Sequence, residues 1–173
     1  MSSPFLKVID RHPEIAEELQ FDGYLPLQAD FGDAEGGNSI YWYLLPEKSI
    51  VKLTVDSKSD RLLTVDCVAL ERARIVKKST VETCESIESG LPIVDTSLWE
   101  HGIDEYHFRT DEALSVSVDT NAIQLFFGTD PKIVRELQSG NVFFGVDESQ
   151  HLRSVRFAGL SADQINEFLN TCE

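Results

Sequence analysis

His101 and His107, with Glu100, Asp104 and Glu105 between and beside them, are the densest concentration of potential metal ligands in the chain. Zinc binding would need three or four such groups converging tetrahedrally, and the six-residue separation of the histidines fits no zinc motif. Asp30, Asp33 and Glu35, followed by Gly36 and Gly37, offer several carboxylates on a flexible turn, the kind of donor calcium prefers. Their spacing departs from the EF-hand loop, and no acid stands at its twelfth position. Nucleophilic catalysis would need a serine or cysteine beside an oriented histidine and an acid. Cys84 lies between Glu82 and Glu85, whose negative charge disfavours a thiolate; Cys67 falls in an apolar run, and Cys172 is next to the last residue. The chain contains no nucleophile elbow, phosphate-cradling glycine loop or dinucleotide fingerprint. These readings assign no catalytic residue, no metal and no cofactor.

What the residues do state is charge. The 173 residues hold 30 Asp and Glu against 15 Lys and Arg, a formal charge of −15. From Glu82 to Glu112 there are nine acids and one base, Arg109, so this segment alone supplies −8. The dense basic cluster Arg72, Arg74, Lys77 and Lys78 lies just before it. A potential of this sign repels nucleic acid and anionic membrane and draws in basic surfaces at rates that fall with salt. Trp99 stands inside the acidic segment beside Glu100, and an aromatic ringed by carboxylates suits a Lys- or Arg-rich partner. Trp42, Tyr41, Tyr43, Tyr106 and Phe108 are the other aromatics that could serve an interface, although a strand such as Tyr41 to Tyr43 also needs aromatics for its buried face.

The positioning elements follow from periodicity. Pro13 can open a helix, and Ile15 and Leu19 lie one helical turn apart, so Pro4 to Gln20 reads as helical, with Glu14, Glu17 and Glu18 near its positive end. Ile40 to Leu45, Ile50 to Val55 and Leu62 to Leu70 read as three antiparallel strands with short turns. Further strands are expected at Arg72 to Lys78, Tyr106 to Arg109, Leu114 to Val118, Ile123 to Phe127, Val142 to Val146 and Leu152 to Phe157. Ser161 and Gln164 form a capping box ahead of Ile165, Phe168 and Leu169, which predicts a closing helix over Ser161 to Thr171.

One internal echo stands out. Leu53-Thr54-Val55-Asp56 leads through a polar turn to Leu63-Thr64-Val65, and Phe144-Gly145-Val146-Asp147 leads likewise to Leu152-Arg153-Ser154-Val155. With Ile40 to Leu45 upstream of the first hairpin and Ile123 to Phe127 upstream of the second, a three-stranded unit would be used twice. Asp56 and Asp147 are turn formers in this reading. The expected fold is α+β: one domain over residues 1–173, mainly an antiparallel sheet of two meander-like units, with an N-terminal helical segment and a C-terminal helix. No run approaches the roughly 20 apolar residues of a membrane span, no secretory signal precedes the first element, and three unclustered cysteines fit a reducing compartment, so a cytoplasmic location is expected.

With its acidic segment Glu82 to Glu112 around Trp99 and its closing unit from Val142-Phe143-Phe144-Gly145-Val146-Asp147 through Gly159-Leu160-Ser161 to Leu169, the chain resembles the bacterial immunity proteins that neutralise polymorphic toxins, including those of contact-dependent growth inhibition. The resemblance lies in overall type and carries no site residues across. It implies an inhibitor, not an enzyme, that binds a cognate and basic toxin domain, often a nuclease, with acidic side chains standing in for substrate phosphates. The expected contact set is Glu82, Glu85, Glu88, Asp95, Trp99, Glu100, Asp104 and Glu105, with Asp30, Asp33 and Glu35 as a second candidate surface. An interaction module for another partner and a small hydrolase with a cryptic site are the alternatives, and the sequence is silent on oligomeric state.

Overall fold

A computed structural model describes residues 4–77, 84–97 and 107–173, the side chains of Lys77 and His107 excepted. The chain is mostly β, and this overturns the α+β expectation. The first half contributes β1 (Val8–His12), β2 (Glu18–Gln20), β3 (Leu27–Asp30), β4 (Ser39–Leu44), β5 (Ile50–Asp56) and β6 (Leu62–Ala69). A 3₁₀ turn at Arg72–Arg74 opens a connecting region that carries β7 (Ile75–Lys77), β8 (Ile87–Ser89), β9 (Leu91–Val94) and β10 (His107–Thr110). The second half contributes β11 (Leu114–Val118), β12 (Ile123–Phe127), β13 (Arg135–Ser139), β14 (Val142–Val146), β15 (Leu152–Phe157) and the helix α1 (Ala162–Thr171).

These strands form three sheets, of two, six and seven strands. The six-stranded sheet has the order β10-β4-β5-β6-β3-β2, and the seven-stranded sheet β7-β11-β12-β15-β14-β13-β8. Within them β4-β5-β6-β3-β2 and β13-β14-β15-β12-β11 are the same antiparallel arrangement in the same chain order. The internal echo is therefore a repeated five-stranded topology, larger than the three strands read from the sequence. The upstream strands were also mismatched in that reading: Ile123 to Phe127 corresponds to Leu27–Asp30, and the counterpart of Ile40 to Leu45 is Arg135–Ser139.

Among the described residues no helix forms over 4–20. Ile15 and Leu19 are four residues apart, a spacing that puts two side chains on one face of a helix and, being even, equally on one face of an extended chain. Both are partly buried against the core. The acids assigned to a helix start instead satisfy a distant turn: Glu14 accepts from the Gly140 amide at 2.9 Å and Glu17 from the Asn141 amide at 3.0 Å. Those backbone donors lie beyond the end of β13, where no ladder partner reaches them. The C-terminal helix does form, capped as its sequence specifies: Ser161 Oγ accepts from the Gln164 amide and Gln164 Oε1 from the Ser161 amide.

The apolar faces of the two large sheets share one core. Trp42 and Phe127 meet with ring centroids 5.4 Å apart, and Phe31 and Phe144 with centroids 5.7 Å apart, each pair joining one half to the other. The third sheet knits the halves further. β1, which leads into the first unit, bridges Lys7 to His151 at the β14–β15 turn, and β9, in the region leading to the second, bridges Ile93 to Arg61 at the β5–β6 turn. The Val8 amide donates to Gln150 O at 2.8 Å and the Val94 amide to Asp60 O at 2.9 Å. β1 and β9 then pair with each other antiparallel, so each half lends its leading strand to the other's hairpin.

Candidate functional site

The acidic connecting region supplies edges to both large sheets. β8 runs parallel to β13, and β10 parallel to β4. Of the expected contact residues, Glu82, Trp99, Glu100, Asp104 and Glu105 lie outside the described residues, as does His101. Glu85 is exposed just before β8. Glu88, within β8, is exposed and held 2.8 Å from Arg11 Nη1. Asp95 closes a local turn: hydrogen bonds from Ser97 hold its carboxyl below the ordinary range. Glu85 and Glu88 thus lie at β8 of the seven-stranded sheet, and Asp95 follows β9 of the two-stranded one.

Two further acids, Asp111 and Glu112, follow β10. A cleft of about 500 Å³ is lined by Pro4, Leu45 and Phe108 as its apolar surface and by Arg109, Asp111 and Glu112 as its charged rim. The local structure is fixed by β10: the Leu45 amide donates to Thr110 O at 2.8 Å, continuing the β4–β10 ladder past its last pair. Trp42 Nε1 donates to Pro4 O at 3.1 Å, which anchors the opposite wall. Phe108 packs its inner side on the core, and the Arg109 guanidinium lies 5.9 Å from the Tyr43 ring centre. Asp111 is exposed and Glu112 half-buried. An apolar floor with carboxylates at its rim matches a lysine or arginine side chain, whose methylene stem seeks apolar surface while its head stays polar. Of the expected contact residues, the three described ones, Glu85, Glu88 and Asp95, do not line this cleft. The signal was present in Phe108-Arg109-Thr110-Asp111-Glu112, an alternating strand that ends in two acids.

The other sequence candidates resolve differently. Among the described residues no group of three or more His, Cys, Asp or Glu could hold a metal. The Asp30 to Gly37 loop already holds a cation of its own. Buried Arg61 donates through Nη1 to Phe31 O at 3.0 Å and through Nη2 to Asp33 O at 3.0 Å, and its Nη2 lies 3.9 Å from Glu35. Asp30 Oδ1 accepts from the Gly32 amide at 2.8 Å, a turn-forming bond. Among the thiols, burial pushes Cys67 far above its ordinary range, and burial raises Cys172 to about 11 against the lowering pull of Arg72. Neither is a nucleophile at neutral pH.

Asp56 and Asp147 form their turns as expected and do so at matching positions. Asp56 accepts from the Lys58 amide and the Ser59 hydroxyl, and Asp147 from the Ser149 and His151 amides. No helix among the described residues is long and apolar enough to cross a membrane. No protein-family model matches this chain, and no curated protein matches it.

Proposed function

We propose that this chain is an inhibitory binding protein of the immunity type, which neutralises a basic, nuclease-type toxin domain by seating its lysine or arginine side chains at the end of β10. The observation that carries the reading is the acid-rimmed cleft of Pro4, Leu45 and Phe108 with Asp111 and Glu112, built into the segment that holds −8 of the chain's −15. Long-range attraction speeds encounter and excludes acidic competitors, while the apolar floor slows release. The same field disfavours nucleic acid and anionic membrane as partners. The cytoplasm is the fitting compartment, since it keeps Cys67, Cys84 and Cys172 as the free thiols they are.

The test is binding to the toxin candidate encoded by the adjoining reading frame, measured at low and physiological salt. Asp111→Lys with Glu112→Lys should slow association by about tenfold or more and flatten the salt dependence, with stability changed by less than about 0.5 kcal/mol, as for most surface substitutions. Binding that is indifferent to ionic strength, or equal in the double variant, refutes the proposal.

A further inference from the structure

A second cleft, of about 430 Å³, lies between β1 and the β13 edge of the seven-stranded sheet, and three cations line it: Lys7, Arg11 and Arg135. Its floor is apolar, from Val8 and Leu137, both buried. In a chain where acids outnumber bases two to one, three of the 15 bases share this one groove. The two acids that also line it are engaged. Glu88 is bonded to Arg11 at 2.8 Å, and Asp10 Oδ1 accepts from the Arg11 backbone amide at 2.8 Å. The cationic groups are themselves positioned. Arg11 Nη1 also lies 3.4 Å from Ser89 O, and Arg135 Nη2 donates to Gln150 Oε1, each using one or two of a guanidinium's five N–H donors.

The repeated topology provides an internal control on whether the fold itself requires these charges. By register, Lys7 corresponds to Ile93, Arg135 to Ile40, Leu137 to Trp42 and Gln150 to Asp60. The first half builds the same arrangement from two isoleucines and a tryptophan, with no base at any of these positions. The topology is satisfied by aliphatic side chains at the positions of Lys7 and Arg135, so the fold itself does not require those two cations. Half-burying Arg135 beside Leu137 carries a desolvation cost that an anionic ligand would offset.

We infer that this groove is a binding site for a small oxyanion, a phosphate or carboxylate group held by Arg135 and Arg11 with Lys7 at its flank. Planar guanidinium forks match either headgroup bidentately. Asp95 lies within electrostatic reach of Lys7, which leaves Arg135 and Arg11 as the main anion holders; acids more than about 8 Å away are largely screened at physiological ionic strength. The site is separate in residues from the acid-rimmed cleft and does not depend on that reading.

The experiment is a backbone amide chemical-shift titration of the full chain with inorganic phosphate and, in parallel, with succinate, at constant ionic strength against a sodium chloride control. Saturable shifts confined to Val8 through Arg11, Arg135 through Leu137 and Gln150, with either probe, are expected, and the stronger probe names the headgroup. Arg135→Gln should weaken that binding at least tenfold. Lys7→Ile, which installs the residue found at the matching position of the first half and so should fold, should weaken it by about threefold or more. Shifts that follow sodium chloride alone, or an affinity unchanged in both variants, overturn the inference.

Discussion

The two five-stranded units place an ion pair on the outward side of each sheet, and they place it with opposite polarity. In the second unit Arg156, on β15, lies 3.0 Å from Glu136 on β13, with its guanidinium 3.8 Å from the Phe143 ring centre on β14. In the first unit the position matching Arg156 is Asp66, which lies 3.6 Å from Lys52 on β5, itself 5.3 Å from the Tyr41 ring centre. The row of three positions is retained while the sign is exchanged, and the counter-ion and the aromatic swap strands: Lys52 stands where Phe143 does, and Tyr41 where Glu136 does. The pairs differ also in depth: side-chain exposure is 7% and 1% for Arg156 and Glu136, against 29% for Lys52 and 3% for Asp66. What this teaches is that the topology asks for local neutrality on that row and leaves the sign free. The chain's −15 is therefore a property of the particular surface, imposed on a scaffold that accommodates either charge.

Breaking the deeper pair should have the largest effect. Arg156→Met leaves Glu136 buried without its cation, and removing one partner of a buried pair costs about 3–5 kcal/mol. Urea unfolding of Arg156→Met should show that loss, and Arg156→Met with Glu136→Leu should recover much of it; a loss below about 1 kcal/mol in the single variant would mean that the pair is not sealed from water. Lys52→Met is the matching perturbation in the first unit. Asp66 keeps its hydrogen bond from Thr64 at 2.9 Å, and Lys52 already reaches solvent, so the cost should be nearer about 1–2 kcal/mol. Equal losses in the two variants would erase the distinction in depth.

The smallest effect concerns the paired turns. Burial works to raise the Asp56 carboxyl, but hydrogen bonds from the Ser59 hydroxyl and from the Lys58, Glu35 and Ser59 amides outweigh it and hold the group below 3.8. A carboxyl depressed in the folded state contributes stability above its unfolded value, and that contribution is lost as pH falls through the folded value. The Tm of Asp56→Asn should therefore trail the wild type at pH 7, with the gap closing below pH 3.8. A gap that persists at pH 2 would assign the effect to the turn's shape and not to its charge.

How much of this was legible in the sequence differs between the same two units. The β5–β6 hairpin could be read because Leu53, Val55 and Val65 alternate with polar residues in a half-buried sheet. In the second unit β13 could not, because Arg135-Glu136-Leu137-Gln138-Ser139 shows a single large apolar residue. That strand buries Glu136, which pairs with a residue 20 positions away, and sequence alternation registers hydrophobicity but not a charge neutralised at long range. Of the short parallel edges, β7 and β10 fall in the strands expected at Arg72 to Lys78 and Tyr106 to Arg109, whereas β8, three exposed residues, gains its identity from β13 far along the chain, which no local pattern encodes. The candidate site shows the same divide. The acidic segment was visible as composition, whereas the cleft that uses Asp111 and Glu112 needed Pro4 and Leu45, brought there by β4 and by the anchored N-terminal stretch.

The exchange of leading strands sets an order on assembly during synthesis. Leu6 accepts its hydrogen bond from Leu152, 146 positions later, and the Val8 amide finds its acceptor at Gln150. The ribosome must therefore deliver β9 before β1 has its first ladder partner, and residues through 152 before the Leu6 to Val8 side of the strand is closed. Until then β1 keeps one open edge and carries Ile9, which is more than half exposed even in the finished fold. Such an edge is a template for wrong pairing, and contacts this distant in sequence form slowly. Asp10 and Arg11, charged residues in the middle of that strand, keep it from pairing with a second nascent copy in the interval.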